Sequence, residues 1–381
     1  MARSGFLIAD SDLHVMEPPD LYERYLEPRY RERAPVWMAR PESGHKDFVV
    51  KTDAPVSEEW TKKEMVSRKS LDDRKAEAYA AELEYGYTPE LTLRAMDVEG
   101  IDVAILFRTF AQMAIQVDGQ DPGYTFAVCR AFNDWLSEFA AVDGARLKGS
   151  GILALNDIPS AVGEAGRCVR DLGMAAVTLL PTVVDNRMAH DPECDRLWAE
   201  LQGMDTPVTF HDTSQGYAAR NPGNWFRDHP NNLVLVHAFS FPIPLMLAVG
   251  SVTAGGLLHR FPQLRMAFLE GNCSWVPWLL YRLDDQWETY GDSQEIRLDL
   301  KPSEYFVRQC YVSTETDGEL LHHLVDAIGD DNVVLSTDYP HTDSSYPHAV
   351  ESFLKYDRVS DETKRKVLWE NCARLYNLAA V

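Results

Sequence analysis

The sequence predicts an α/β fold, a (β/α)8 barrel in one domain spanning residues 1–381, and three observations lead there. Apolar runs of strand length recur down the chain, most are followed by an amphipathic stretch, and eight such units can be read. Near-continuous apolar strands alternating with helices imply a parallel sheet covered on its faces. Eight units favour closure into a barrel over an open, doubly wound sheet.

The strand readings, in order, begin with FLIADSDLHV (6–15), DVAILF (102–107), LKGSGIL (147–153) and MAAVTLL (174–180). They continue with PVTFH (207–211), LVLVH (233–237), LRMAFLE (264–270) and NVVLSTD (332–338). Helical periodicity fills the gaps, as in GYTFAVCRAFNDWLSEFAAV, IPSAVGEAGRCVRDLG and SWVPWLLYRLDDQWETY. QCYVSTET (309–316) is a ninth candidate strand and leaves one assignment open. Residues 19–90 are rich in Pro, Lys, Glu and Tyr with little periodicity. They read as an insertion after the first strand, lying over the barrel mouth as a lid or an interface.

Composition excludes several function classes. With 59 acidic against 37 basic side chains the formal net charge is −22, and no Lys/Arg cluster interrupts it, so nucleic acid is not an expected partner. The six cysteines are scattered without a CxxC pair, which points to free thiols in a reducing cytoplasm. The opening MARSGFLIADSD is too short in apolar residues for a signal peptide, and no membrane span is expected.

The informative pattern is positional. Five apolar runs end, rather than begin, in His14, His211, His237, Glu270 and Asp338. The C-terminal strand ends of a barrel converge on one pocket, so these distant residues would meet there. His, Asp and Glu bind divalent zinc, manganese or iron through nitrogen and oxygen. In the first strand, period-2 alternation puts Asp10, Asp12 and His14 on one side. Asp12 and His14 at the rim are candidate ligands, and the deeper Asp10 is a support that accepts backbone hydrogen bonds. Glu17, in the loop MEPPD, either ligates or caps a turn. STDYPHTDS adds His341 and Asp343, and His341 either acts directly or hydrogen-bonds to a ligand. Trp60, Tyr87, Trp225 and Phe241 are candidate linings of an apolar substrate pocket.

Taken together, DLHVMEP, TFHDT, GGLLHRFPQLRMAFLEGNCSWVPWLLYRLDD, VLSTDYPHTDS and ENCARLYNL resemble the amidohydrolase-related family of metal-dependent TIM barrels. The similar branch includes aminocarboxymuconate-semialdehyde decarboxylase and γ-resorcylate decarboxylase, and the resemblance runs from 6 to 378. It implies a distorted barrel with a divalent ion held at Asp12, His14, His211 and Asp338. In the hydrolases the ion activates a water; in the decarboxylases it orients the substrate carboxylate.

Two positions depart from the family pattern. Asp12 stands where the first His of an HxH pair is expected, favouring harder ions such as manganese or iron over an all-imidazole zinc site. Glu270, in LEGNCSW, stands where the decarboxylases carry a His that helps protonate the substrate carbon. Glu270 then reads as a general base or an extra ligand. With Glu17, His237 and His341 added, the ligand-type side chains exceed what one ion needs, so one or two ions per chain are expected.

The leading reading is a metal-dependent hydrolase of a small amide, ester or thioester. Asp338 or Glu270 would take the proton, and His237 or His341 would stabilise the oxyanion. The alternatives are a non-oxidative decarboxylase of an aromatic or dienoic acid and a dinuclear iron or manganese enzyme that activates oxygen. The expected partners are a small-molecule substrate and a second subunit, in a homodimer or with a related chain.

Overall fold

The computed structural model describes residues 4–39, 46–49, 78–212, 218–316, 320–341 and 343–379. Among these described residues there are ten strands: β1 (Ala9–His14), β2 (Val36–Ala39), β3 (Lys46–Val49), β4 (Val103–Phe107), β5 (Leu147–Ile152), β6 (Ala176–Leu179), β7 (Val208–Phe210), β8 (Met266–Phe268), β9 (Cys310–Glu315) and β10 (Val333–Ser336). Eight of them form one sheet in the order β1-β4-β5-β6-β7-β8-β9-β10. Every neighbouring pair in it is parallel. The ends of that order are stitched together by Ser11 Oγ donating to the Leu335 carbonyl (2.6 Å), Asp338 N to Asp12 O (3.2 Å) and His14 N to Tyr339 O (2.7 Å). The sheet is a (β/α)8 barrel.

Seven of the eight strand readings lie on these strands. The exception is LVLVH, which belongs to the helix Asn232–Ser240, while the ninth candidate, QCYVSTET, contains β9. A short apolar run does not by itself distinguish a buried strand from a helix. Here the apolar stretch continues past strand length through HAFS, and Pro242 then opens a second helix, Pro242–Val252, at the position where a missing N–H costs nothing. Asn232–Val252 is also long and apolar enough to cross a membrane, which the sequence reading had not anticipated. Its second half buries Leu245, Val249 and Val252.

Local signals set the covering helices. Thr88 accepts from the backbone N–H of Leu91 and Pro89 follows it, so the helix Pro89–Glu99 starts there; it ends at Gly100, whose φ of 80° suits glycine. Asp121 and Asp157 cap Pro122–Ala140 and Ile158–Arg170 in the same way. Each cap contributes about 1 kcal/mol. The core is continuous from the strands outward: Phe210 stacks on Phe268 at 5.3 Å, and Phe268 on Phe306 at 6.3 Å. Replacing Phe268 by Ala would cost ~3–5 kcal/mol.

The proposed insertion falls partly outside the described residues, and Trp60 lies outside them too. Within it, β2 and β3 pair antiparallel. Near its end Tyr79 stacks on Tyr339 (5.9 Å), and Glu82 accepts a hydrogen bond from the Tyr339 hydroxyl (2.9 Å). The stretch 78–85 therefore lies against the loop that follows β10.

Candidate metal centre and active site

β1 delivers the three alternating polar residues, with an irregularity in its pairing to β4 between Asp10 and Leu13. Asp10 accepts from Asp12 N (3.1 Å), Thr337 N (3.2 Å) and the Thr337 hydroxyl, tying β1 to the end of β10. Full burial pushes its carboxyl up to about 8, against the pull of those donors.

Asp12, His14 and His211 meet at the barrel rim. His14 Nδ1 donates to the Arg108 carbonyl (2.8 Å) and His211 Nδ1 to the Asp212 carbonyl (2.9 Å). A carbonyl can only accept, so each ring carries a proton on Nδ1, and its Nε2 can serve a metal once that nitrogen holds no proton of its own. Those two Nε2 atoms stand 3.0 Å apart. Asp12 Oδ1 is 3.1 Å from the His211 Nε2 and 3.6 Å from the His14 Nε2, and Asp12 Oδ2 is buried without a hydrogen-bond partner. Two converging imidazole nitrogens beside an unpartnered carboxylate oxygen suit a positive charge between them, a proton on Nε2 or a metal ion in its place. Nitrogen and oxygen donors of this kind fit a divalent manganese, iron or zinc ion. The electrostatics agree. Burial, with His341, His211 and Arg108 nearby, holds His14 well below the usual imidazole range. Burial opposes charge on His211 too, but Glu270 and Asp12 overcome it and lift the ring to about 10. Carboxylates that hold a proton so firmly would draw a metal cation into the same place.

The facing wall comes from β8 and β10. Glu270 and Asp338 follow those strands with φ of 64° and 56°, in the left-handed region that a side chain enters at a cost of ~1–3 kcal/mol. Asp338 Oδ1 accepts from His341 Nδ1 (2.7 Å) and lies 3.5 Å from His14 Nε2. The His341 ring sits 4.0 Å from that of His14. Glu270 Oε2 lies 2.9 Å from His211 Nδ1. Burial raises the Asp338 carboxyl to about 7 against the pull of His341. Burial works against the charged His341 ring, but Asp338 beside it raises the ring to about 9. Donor atoms fall into two groups, each within 4.8 Å, that share His14: Asp12, His14 and His211, and His14, Glu270, Asp338 and His341. The second group opens on a cavity of about 310 Å³ lined by Glu270, Asp338, Asp343, Glu315, His237 and Phe241. That is room for a small organic molecule.

Two residues proposed as ligands lie elsewhere. Glu17 Oε1 accepts from the backbone N–H groups of Thr109 (3.2 Å), Phe110 (2.9 Å) and Ala111 (2.8 Å). It caps the loop after β4 and joins neither donor group. His237 is carried by a helix rather than a strand end, which turns it to the cavity wall, half-buried and 3.9 Å from Asp343. It too is in neither donor group and lines the cavity instead. Phe241 shares that wall, whereas Trp225 is 75% exposed and lines nothing there. One site residue was overlooked. Arg108, directly after β4, is buried and donates to the His211 carbonyl. The strand-end rule that singled out His14 would have found it had cations been considered along with ligands.

Comparison with known proteins shows the family and the fold. The chain is 23% identical over 254 residues to a 2-amino-3-carboxymuconate-6-semialdehyde decarboxylase from Dictyostelium discoideum, covering 67% of each chain. It is 25% identical over 302 residues to a gamma-resorcylate decarboxylase from a Polaromonas species, covering 75% of this chain and 86% of the relative. Its fold is that of a 5-carboxyvanillate decarboxylase from Novosphingobium aromaticivorans, solved with manganese and 4-hydroxy-3-methoxy-5-nitrobenzoic acid. That match has a TM-score of 0.69 at 19% identity and covers 99% of this chain and 97% of the other. The amidohydrolase family pattern matches residues 11–378, and the chain belongs to that family.

Proposed function

We propose that this chain is a metal-dependent, non-oxidative decarboxylase of a small aromatic or dienoic acid. The observation that carries the reading is the Asp338–His341 pair, an acid beside the converging His14 and His211 nitrogens at the edge of the 310 Å³ cavity. The likeness to two decarboxylases supports it over hydrolysis. Asp12, His14, His211 and Asp338 would hold the ion. When bound, the ion supplies positive charge that orients the substrate carboxylate and stabilises charge developing in the transition state.

The protein's own groups handle the proton. The bond between the substrate carbon and its carboxylate breaks, carbon dioxide leaves, and the electron pair stays on the carbon. Against the pull of burial, Asp338 keeps the His341 ring protonated at neutrality, and His341 passes its Nδ1 proton through the Asp338 carboxylate to that carbon. His237 and Phe241 border the substrate.

Glu270 favours a second reading. A carboxylate facing the cavity is suited to removing a proton from water, and hydrolysis of an amide, ester or thioester would use it so. Product analysis on hydroxybenzoic and dienoic acids separates the two. Carbon dioxide release with solvent deuterium on the former carboxyl-bearing carbon is expected. Oxygen-18 from water in the product, without carbon dioxide, would establish hydrolysis instead.

A further inference from the structure

We propose that Arg108 is a positioning residue for the metal centre, holding His14 through its backbone carbonyl and His211 through its guanidinium so that both Nε2 atoms meet one ion. The inference rests on reading the cluster as a metal centre and is independent of which reaction follows.

Arg108 stands between the two histidines. Its carbonyl accepts from His14 Nδ1 at 2.8 Å, and its Nη2 donates to the main-chain carbonyl of His211. The preceding Phe107 ring stacks on His211 at 5.3 Å and lies 6.5 Å from His14, so this one dipeptide braces both imidazoles. The side chain is 1% exposed, yet Nε and Nη1 have no hydrogen-bond partner. A buried guanidinium with two of its three nitrogens unpartnered does not improve a hydrophobic core. Its compensation is electrostatic, since it lies in the field of the Glu270, Asp212, Asp12 and Glu17 carboxylates. A planar, permanently charged group can brace a carbonyl and neutralise surrounding carboxylates at once. Lysine keeps the charge but lacks the fork.

The test uses the full chain as wild type, R108K and R108M, with Mn(II) binding measured by chelator competition and geometry read from the visible spectrum of the Co(II) form. Both substitutions are expected to weaken Mn(II) binding by ~10–100-fold, as removal of an outer support for a ligand does, and to alter the Co(II) bands. R108K should melt, metal-free, closer to wild type than R108M does, because it keeps the charge. A merely structural role would shift melting and leave the Co(II) spectrum of folded protein unchanged. Mn(II) affinity within twofold of wild type and an unaltered spectrum in R108K would overturn the assignment. If wild type binds neither ion, the metal-centre reading fails along with it.

Discussion

Asp12, His14 and His211 are at most 2% exposed and have ordinary backbone, whereas Glu270, Asp338 and His341 have side chains 14%, 17% and 21% exposed, the first two on left-handed residues. The first wall is anchored by strand pairing and by Nδ1–H bonds to main-chain carbonyls. The second borders open space. On the proposed function, the ligands that must stay fixed sit where packing permits one position. On the same reading, the groups that meet a substrate and exchange protons sit on the open side, where backbone strain aims them.

That contrast can be broken by experiment, beginning with the closed wall. His211→Ala should abolish metal retention after dialysis and lower kcat/KM by ~10³-fold or more, because the ion and its orienting charge leave together. Metal analysis at wild-type levels would place the ion elsewhere. Asp338→Asn removes the acid, and a fall in kcat of ~10²–10⁴-fold is expected, with metal content reduced less than in His211→Ala. Glu270→Gln should keep the metal. A kcat loss of ~10-fold or less fits decarboxylation with Asp338 as the acid, and one approaching ~10³-fold would favour the hydrolytic role. Glu17→Gln should leave metal content untouched and cost ~1–2 kcal/mol in denaturant unfolding, since a neutral amide oxygen accepts the three N–H groups less strongly. The smallest effect belongs to His237→Ala, where KM should change several-fold with kcat held.

Much of the barrel could be read from the chain because strand and helix periods differ. Its one error fell where that distinction vanishes, in the uninterrupted apolar stretch around LVLVH. His14, His211, Glu270 and Asp338 could be placed at the mouth because a parallel barrel gathers its C-terminal strand ends. His237 went astray with its strand. Glu17 carries no local mark of its partners, because the N–H groups it satisfies lie more than 90 positions away. Arg108 escaped for a different reason: its importance lies in the orientation of two histidines, which only three-dimensional packing defines.

The seam between β1 and β10 has a consequence for the order of assembly. Asp10 and Thr337, whose bonds close it, are 327 positions apart, and the proposed ligands Asp12 and Asp338 flank them. On the proposed ligand set, a growing polypeptide therefore has no complete coordination sphere until Asp338 has left the ribosome and β10 has joined β1. On that ligand set, acquisition of the ion would serve as a kinetic reporter of barrel closure.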